Sequence, residues 1–354
     1  MVIRRLLEQM GNEVIAPLRP SQRTLDLGVR YSPEFACLPY KLVTGTYIES
    51  LERGADTILT SGGVGPCRAG LYAPMHEAIL KDLGYDFEII IIEPPSRGIG
   101  DIYRKLQKLN ADKLSWLALL GLVREGWAKV KALDDLERLS HYVRPREIEK
   151  RSTTRVYQKT LSWMAEANSI KEIKEAHEAG VAALKGIPQD PERDILKIGI
   201  VGEIYVVLEP SANLELEEIL GELGAEVDRS IFLTGWTMDN AVADAMRLTG
   251  GRSVKRAAKE YLPEMIGGHG QDSIGHTIIY AKDGFDGVIQ LSPFTCIPEI
   301  VAMSILPKVS KDYDIPVLSI VLDEQTGKAG LTTRVEAFVD LLYRRRRQRL
   351  EAGI

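Results

Sequence analysis

The stretch that decides the fold is residues 56–71, DTILTSGGVGPCRAGL. It opens with a short run of apolar and β-branched residues from Asp56 to Thr60, continues through a glycine-rich loop from Ser61 to Pro66, and turns helical after Cys67. A strand, a glycine loop and a helix in this order are typical of one unit of a parallel α/β sheet. The loop is followed by no Gly-Lys-Ser/Thr sequence and has no Rossmann glycine spacing, so it predicts neither a P-loop nor a dinucleotide site.

The same alternation of patterns continues on both sides of this stretch. The predicted elements are helices over 1–10, 39–53 and 68–83 and strands over 13–16, 56–60 and 87–92. The last strand, FEIIII, is a continuous apolar run of the kind that is buried on both faces of a parallel sheet. We therefore predict a first α/β domain over residues 1–100.

Strand patterns disappear between residues 101 and 185, where Leu, Ala, Glu, Lys and Arg recur with helical spacing. This spacing predicts three or four amphipathic helices. A turn-rich linker follows at 186–191, GIPQDP. We predict that the helical segment and its linker, residues 101–194, separate two α/β domains.

Alternation returns in a second predicted domain, residues 195–354. Its strands are predicted over 196–201, with a continuation towards Leu208, and over 226–232, 287–291 and 316–322. Its helices are predicted over 214–223 with Asn213 as N-cap, 239–248, 253–261, 273–281, 298–309 and 332–350. The sequence thus predicts an α/β fold made of two Rossmann-like, doubly wound domains with a helical segment between them.

Composition narrows the class of protein. The chain has 354 residues, 45% hydrophobic and 27% charged, with a formal net charge of −5. The negative balance argues against nucleic acid as the main partner. No run approaches the roughly 18–20 apolar residues of a membrane span, and the start, MVIRRLL, does not fit a secretory signal. We predict a cytoplasmic protein, and a homodimer as the general expectation for soluble assemblies.

Three cysteines share one sequence setting. Cys37, Cys67 and Cys296 each have a proline within two positions, and each lies where an irregular stretch gives way to a predicted helix. A helix start offers unpaired N–H groups and a partial positive charge, which favour a thiolate. Cys67 and Cys296 also follow predicted strands, and the carboxyl ends of parallel strands are where ligands bind. If the edges of the two domains face each other, the three thiols meet in one cleft.

The pattern alone leaves three interpretations of these cysteines open. They are independent buried cysteines that act as small hydrophobes, zinc ligands together with His269, or ligands of an iron–sulfur cluster. His269 lies in a glycine loop, GGHG at 267–270, that suits an active site. Against zinc, no Cys-x-x-Cys pair is present and the cysteines are scattered along most of the chain.

Other side chains are candidates for roles at the same place. Glu203 ends a predicted strand, and we predict that it delivers protons or acts as a fourth ligand; a solvated strand end is the alternative. His269 is a second candidate for proton delivery or substrate positioning. Arg68 and Lys41 can lower the cost of extra negative charge at the thiols, with surface ion pairs as the alternative.

Five segments carry a resemblance to a known family. They are EFACLPYK at 34–41, GPCRAGLY at 65–72, GEIYV at 202–206, PFTCIPE at 293–299 and DEQTGKAGLTTRVEAF at 323–338. Together they resemble the activase-related (CoA-protein-activase) branch of the 2-hydroxyacyl-CoA dehydratase superfamily, kin of the double-cubane cluster proteins. The resemblance covers most of the chain outside the helical middle.

The resemblance implies that Cys37, Cys67 and Cys296 bind one 4Fe-4S cluster between two Rossmann-like domains, with one iron not held by a protein sulfur. It also implies a partner, an ATP-dependent activator or reductase that carries its own iron–sulfur cluster and delivers low-potential electrons. Two fused cubanes would need about six thiolates, so three cysteines suit a single cluster. Relatives usually open with a strand before the first helix, whereas this chain begins at the helix.

The reaction is not defined by these residues. A dehydratase-like reaction on an acyl-CoA and the reduction of a small molecule both agree with the resemblance, but no residue identifies a CoA site. An electron-transfer or scaffold iron–sulfur protein without its own substrate is the alternative, and a zinc-binding α/β protein is the third.

Overall fold

Two separate parallel sheets organise the computed structural model, which describes residues 1–62, 67–92, 99–238 and 252–352. The chain is therefore an α/β protein, as predicted. The four predicted glycine-loop positions 63–66 and the predicted helix 239–248 lie outside the described residues. Among the described residues, no helix is both long and apolar enough to cross a membrane.

The first sheet lies in the N-terminal part of the chain. Its elements are α1 (Val2–Gln9), α2 (Gln22–Tyr31), α3 (Leu38–Glu52), β1 (Thr57–Ser61), a 3-10 turn (Arg68–Leu71), α4 (Tyr72–Asp82) and β2 (Glu88–Ile92). The strands β1 and β2 pair in parallel, with Leu59 opposite Ile90. Apolar side chains of α3 and α4 pack with the sheet, because the crossover between parallel strands returns a helix onto its face.

Helix α2 was not predicted from the sequence. A capping box starts it, since Ser21 and Thr24 satisfy each other's backbone N–H groups. Its packing on α3 depends on glycine: a Cβ at Gly28 would lie 1.9 Å from the carbonyl oxygen of Lys41. Gly45 of α3 meets the carbonyl oxygen of Thr24 at the same distance. The two helices therefore pack with their backbones in close approach, which few other residue types allow.

Residues 99–185 contain the predicted helical segment. Its helices in the described chain are α5 (Ile99–Leu109), α6 (Trp116–Val143), α7 (Ser152–Glu166) and α8 (Ile170–Lys185). Leu136, Met164 and Leu184 form the fully buried centre of the α6–α8 packing. Ser115 and Ser169 cap α6 and α8 with their side-chain oxygens. The prediction of three or four amphipathic helices is confirmed.

The second sheet has four parallel strands in the order β4-β3-β5-β6 within the described residues. The strands are β3 (Leu196–Gly202), β4 (Ala225–Arg229), β5 (Gly287–Pro293) and β6 (Val317–Leu322). The helices are α9 (Ile204–Leu208), α10 (Leu216–Glu222), α11 (Leu233–Thr237), α12 (Arg252–Ala258), α13 (Gly270–Lys282), α14 (Ile297–Asp312) and α15 (Lys328–Glu351).

Helices cover both faces of this sheet. Ile198 and Ile200 of β3 share a core with residues of α10 and α15, whereas Val201 packs with Tyr280 of α13. Successive residues of a strand point to opposite faces, so these contacts lie on opposite sides of the sheet. The chain moves from β3 to β4 on one side and from β5 to β6 on the other, which opens a crevice at the carboxyl ends of β3 and β5.

Three local predictions were wrong. Residues 13–16 form no strand, because this four-residue run pairs with no described strand. The strand β3 stops at Gly202 and residues 204–208 are helical, because Gly202 turns the chain at φ +145° and Glu203 caps the next helix. The N-cap of α10 is Glu215 rather than Asn213. Asn213 still supports the helix start, since its Oδ1 accepts the N–H of Leu216 at 3.1 Å.

Helix α3 joins the two sheets. Its first turns place Leu38 and Leu42 in the core of the second sheet, and its later turns place Ile48 and Leu51 in the core of the first. In the first turns, the buried Lys41 donates to Glu324, which follows β6, at 3.0 Å. The surface-pair alternative for Lys41 is therefore wrong. Helix α3, which starts at Cys37, is held from both sides.

Removing Glu324 is expected to destabilise the protein more than removing Lys41. Glu324→Ala leaves the Lys41 ammonium buried without its partner, which costs about 2–3 kcal/mol of the free energy of unfolding. Lys41→Met replaces the charge by an apolar chain of similar shape and is expected to cost less than about 1 kcal/mol. Chemical denaturation of the two variants compares these values. Equal losses in the free energy of unfolding for the two variants would contradict the expected difference between them.

Candidate functional site

The structure confirms that all three cysteines lie at helix starts. Cys37 is the N-cap of α3 and Cys296 the N-cap of α14, each with a proline in the first helical turn. Cys67 is the N-cap of the 3-10 turn that leads into α4. Cys37 and Cys296 are buried and Cys67 is half-buried. The prolines fit because the first helical positions lack a hydrogen-bond partner for their N–H groups.

Hydrogen bonds tie the three cysteine-bearing segments together. Arg68, directly after Cys67, donates to the carbonyl oxygen of Phe35 at 3.2 Å and to that of Thr295 at 2.5 Å. The hydroxyl of Thr295, directly before Cys296, donates to the same oxygen of Phe35 at 3.0 Å. Phe35 lies two residues before Cys37. The three segments thus converge at one point, and the meeting of the thiols themselves stays a prediction.

Thr295 holds a strained backbone at this point. Its φ of +66° lies in the left-handed region, which β-branched residues rarely adopt. Such strain costs of order 1–3 kcal/mol and persists where the surroundings enforce it. Here the hydrogen bonds to Arg68 and Phe35 are the enforcing contacts. The strained turn directs the chain into Cys296 and α14.

Aromatic rings surround Cys37. Its Sγ lies 2.6 Å from the hydroxyl oxygen of Tyr72. The Tyr40 ring stacks on His76 with centroids 4.1 Å apart and meets the Tyr72 ring edge-on at 4.7 Å. The ring cluster makes one wall of the site apolar, and burial lowers the pKa of His76 to about 4. His76 is therefore a neutral packing residue near neutral pH.

The pKa values of Cys37 and Cys296 contradict the prediction that a helix start favours their thiolates. Burial raises the pKa of Cys37, although the hydroxyl of Tyr72 and the backbone N–H of Tyr40 act against it. Burial also raises the pKa of Cys296, and the negative charges of Glu299, Glu203 and Cys37 add to this increase. The helix start alone therefore does not make these two groups thiolates. A bound metal would supply the missing positive charge and displace their protons.

Glu203 lies beside these thiols at the crevice between β3 and β5. Its carboxylate accepts the N–H groups of Tyr205 at 3.0 Å and Val206 at 3.2 Å, which makes it the cap of α9. Its charge acts on both Cys37 and Cys296. Burial raises the pKa of Glu203 to about 7 despite the two N–H donors. Glu203 is half-buried, and its carboxylate caps α9 rather than standing free at the strand end.

His269 packs beside the Cys296 helix. A Cβ at Gly268 would lie 2.9 Å from Pro298 Cγ, and one at Gly270 would lie 2.3 Å from the Pro298 carbonyl oxygen. Nε2 of His269 accepts the indole N–H of Trp236 at 3.2 Å. Nδ1 is buried and has no hydrogen-bond partner among the described residues. Burial lowers the pKa of His269 to about 4, so the ring is neutral. Because Nε2 accepts the indole N–H, the ring proton is on Nδ1, which is available as a hydrogen-bond donor.

Glu299 is a site residue that the sequence reasoning missed. It is fully buried three residues after Cys296. Its carboxylate accepts the Ser273 hydroxyl at 3.0 Å and the Gln290 side-chain N–H at 2.9 Å. The Ser319 hydroxyl in turn donates to Gln290 at 2.7 Å. The available signal was an acidic residue in the first turn of the helix that follows Cys296.

Glu299 makes stability depend on pH. Burial raises the pKa of Glu299 to about 7 from the value of 4.5 that is usual for an exposed glutamate. The folded chain therefore keeps a proton that the unfolded chain loses, and stability falls as pH rises from 4.5 to 7. Glu299→Gln cannot lose this proton and is expected to be about 2 kcal/mol more stable than wild type at pH 8, with little difference at pH 5.

Denaturation of the metal-free protein at the two pH values checks this prediction. Glu172→Gln, on an exposed part of α8, is the control and is expected to show no such pH-dependent gain. A loss of stability in Glu299→Gln at both pH values would contradict the account of a protonated Glu299.

The three cysteines supply soft donor atoms. Arg68 and Thr295 join their segments, and the negative charges of Glu299, Glu203 and Cys37 act on Cys296. The described residues contain no group of three or more Cys, His, Asp or Glu side chains placed to hold a metal ion. Thiolate sulfur prefers zinc and iron–sulfur clusters over hard cations.

The chain is an α/β protein in which Cys296 follows the carboxyl end of β5 in the four-stranded sheet. The chain matches no family model and no curated protein.

Proposed function

We propose that this chain is an iron–sulfur protein that binds one 4Fe-4S cluster through Cys37, Cys67 and Cys296. The observation that carries the proposal is the set of hydrogen bonds from Arg68 and Thr295 that brings the three cysteine-bearing segments to one point. Three thiolates leave one iron of a cubane without a protein sulfur. The proposal includes the two finer expectations from the sequence, two Rossmann-like domains and membership of the activase-related branch.

The positions of the three cysteines along the chain favour a cluster over a single zinc ion. Structural zinc sites draw their ligands from short loops with closely spaced cysteines. Here each cysteine stands alone at its own helix start, and the three helices belong to different parts of the chain. A cubane binds each thiolate at a different iron, so it suits three separate helix ends that approach from different directions.

The bound cluster would supply a low-potential one-electron centre with an iron open to an exogenous ligand. Around it, the chain's own residues have distinct tasks. Arg68 places a positive charge beside the thiolates and offsets their added negative charge. Glu203, whose pKa is about 7, holds a proton near neutral pH next to Cys37 and Cys296. We assign Glu203 to proton delivery and neutral His269 to substrate positioning through its Nδ1–H donor.

Exposed apolar side chains form a rim around the point where the three cysteine-bearing segments meet, and this rim is our candidate docking surface for the electron-donating activator. The rim is formed by exposed side chains that flank the three cysteines, namely Phe35, Leu71, Phe294, Ile297 and Ile300. Each of them is at least 47% exposed. Large exposed apolar side chains next to one another mark interaction surfaces. We propose that the ATP-dependent activator docks on this rim, which places its own cluster close to the three thiols.

Electron paramagnetic resonance tests whether the protein acts on a substrate. The anaerobic protein is reduced with dithionite, and spectra are recorded with cyanide, with small alcohols and with acyl-CoA esters. If one iron is open to substrate, at least one of these ligands changes the spectrum, and Glu203→Gln alters the pH dependence of that change. An unchanged spectrum with every ligand would instead support an electron-transfer protein without its own substrate.

A further inference from the structure

Helix α6 carries an apolar stripe that is exposed over its first three turns. Trp116, Leu117, Leu120 and Val123 are 52%, 80%, 47% and 55% exposed. Trp116, Leu120 and Val123 are spaced i, i+4 and i+7, and Leu117 lies three residues before Leu120, so all four lie on one side of the helix. The opposite side of the same turns is buried through Leu119. The helix is therefore apolar on two sides in this region, whereas a surface helix needs only one apolar side.

The stripe continues onto the neighbouring helix. Tyr103 of α5 is 49% exposed, and its ring lies 5.8 Å from the Trp116 ring. Gly121 borders the stripe, and a Cβ added there would meet nothing within 4 Å. The charged residue within the stripe is Arg124, which is exposed and forms none of the ion pairs among the described residues. No described part of the chain covers these side chains.

We propose that this stripe is the interface of a two-fold symmetric dimer in which α6 packs antiparallel against α6 of a second copy. With the axis at Leu120, each side chain meets a suitable partner. Leu120 packs on the second copy's Leu120, and Leu117 packs on the second copy's Val123. Trp116 then faces the second copy's Arg124, so the unpaired guanidinium stacks on an indole ring. An isologous interface requires such self-complementarity.

The stripe also has the area that a stable dimer requires. A standard interface buries about 800 Å² on each partner, of which somewhat more than half is apolar. The five side chains of the stripe each offer about 100 Å² of exposed apolar surface, which together supplies about 500 Å². Trp, Tyr and Arg, the residue types that dominate binding energy at interfaces, all occur in it.

Light scattering after size-exclusion chromatography tests the proposal. The wild-type protein is expected to be a dimer at concentrations on the order of 100 µM. Leu120→Glu places two carboxylates against each other at the axis and is expected to raise the dissociation constant at least about 100-fold. Leu341→Glu is the matched control, because Leu341 is 50% exposed on α15 and lies outside the stripe. A monomeric wild type, or a dimer that survives Leu120→Glu, would overturn the proposal.

A second measurement does not depend on a destabilising charge. Leu120→Cys, treated with a short bis-maleimide, is expected to give a covalent dimer, whereas Leu341→Cys is expected to remain monomeric. A product from Leu341→Cys and none from Leu120→Cys would overturn the proposal. The dimer does not rest on the proposed cluster, and the iron content of Leu120→Glu shows separately whether the cysteine site is intact.

Discussion

Replacing Cys296 by serine is expected to lower the iron content of the anaerobically purified protein from about four atoms per chain to below about one. The hydroxyl of serine keeps the size of the side chain but is a hard and weakly acidic ligand, so it does not replace the thiolate. The same loss is expected for Cys37→Ser and Cys67→Ser, because three cysteines are already the minimum for a cubane with one open iron.

Tyr72→Phe is the matched control for this experiment. It removes the hydroxyl that lies 2.6 Å from Cys37 Sγ but keeps the aromatic ring and all three thiols. We expect it to retain its iron, because a bound thiolate no longer needs the hydroxyl. Iron and acid-labile sulfide assays are made on the three serine variants and on Tyr72→Phe. Wild-type iron content in any of the three serine variants would show that the missing thiol is not a ligand.

Replacing Arg68 by alanine is expected to accelerate iron loss to a chelator by about 10–100-fold. Arg68 touches the segments of the two other cysteines through the carbonyl oxygens of Phe35 and Thr295. Without its guanidinium, the Thr295 hydroxyl is the one donor to the carbonyl of Phe35 that remains among the described residues, and the strained turn at Thr295 loses one of its supports. The thiols remain, but the loops that aim them are freer to separate.

Arg68→Lys separates geometry from charge. Lysine keeps the positive charge but cannot bridge two carbonyl oxygens with a planar fork. We therefore expect Arg68→Lys to lose iron nearly as fast as Arg68→Ala. Arg53→Ala is the control and is expected to behave as wild type, because the Arg53 side chain donates to the carbonyl oxygen of Ala16, far from the site. The absorbance decay of the anaerobic protein with chelator gives these rates. If Arg68→Lys lost iron as slowly as the wild type, the positive charge of residue 68 alone would account for the retention of iron.

The sequence predicted the parts of the fold that depend on local signals. The strand 88–92 and the four helices of the middle segment follow from continuous or periodic apolar patterns. The proline and cysteine pairs predicted the helix starts at Cys37 and Cys296, because proline suits the first turn. The same local signals predicted that Cys296 lies at the carboxyl edge of a sheet.

The features that were missed depend on contacts between distant parts of the chain. Helix α2 packs on α3 through Gly28, whose role is visible only when the Lys41 carbonyl is beside it. The raised pKa of Cys37 follows from burial among rings of α3 and α4, which outweighs the helix start. Glu299 becomes a site residue through Ser273 and Gln290, which come from a different helix and strand. No pattern within one segment encodes these contacts.

The most direct test of the central claim is the metal content and spectrum of the anaerobically purified wild-type protein. We predict a brown protein with about four irons and four sulfides per chain and a paramagnetic signal after reduction with dithionite. A colourless protein that contains one zinc ion per chain, or no metal at all after reconstitution with iron and sulfide, would contradict the claim.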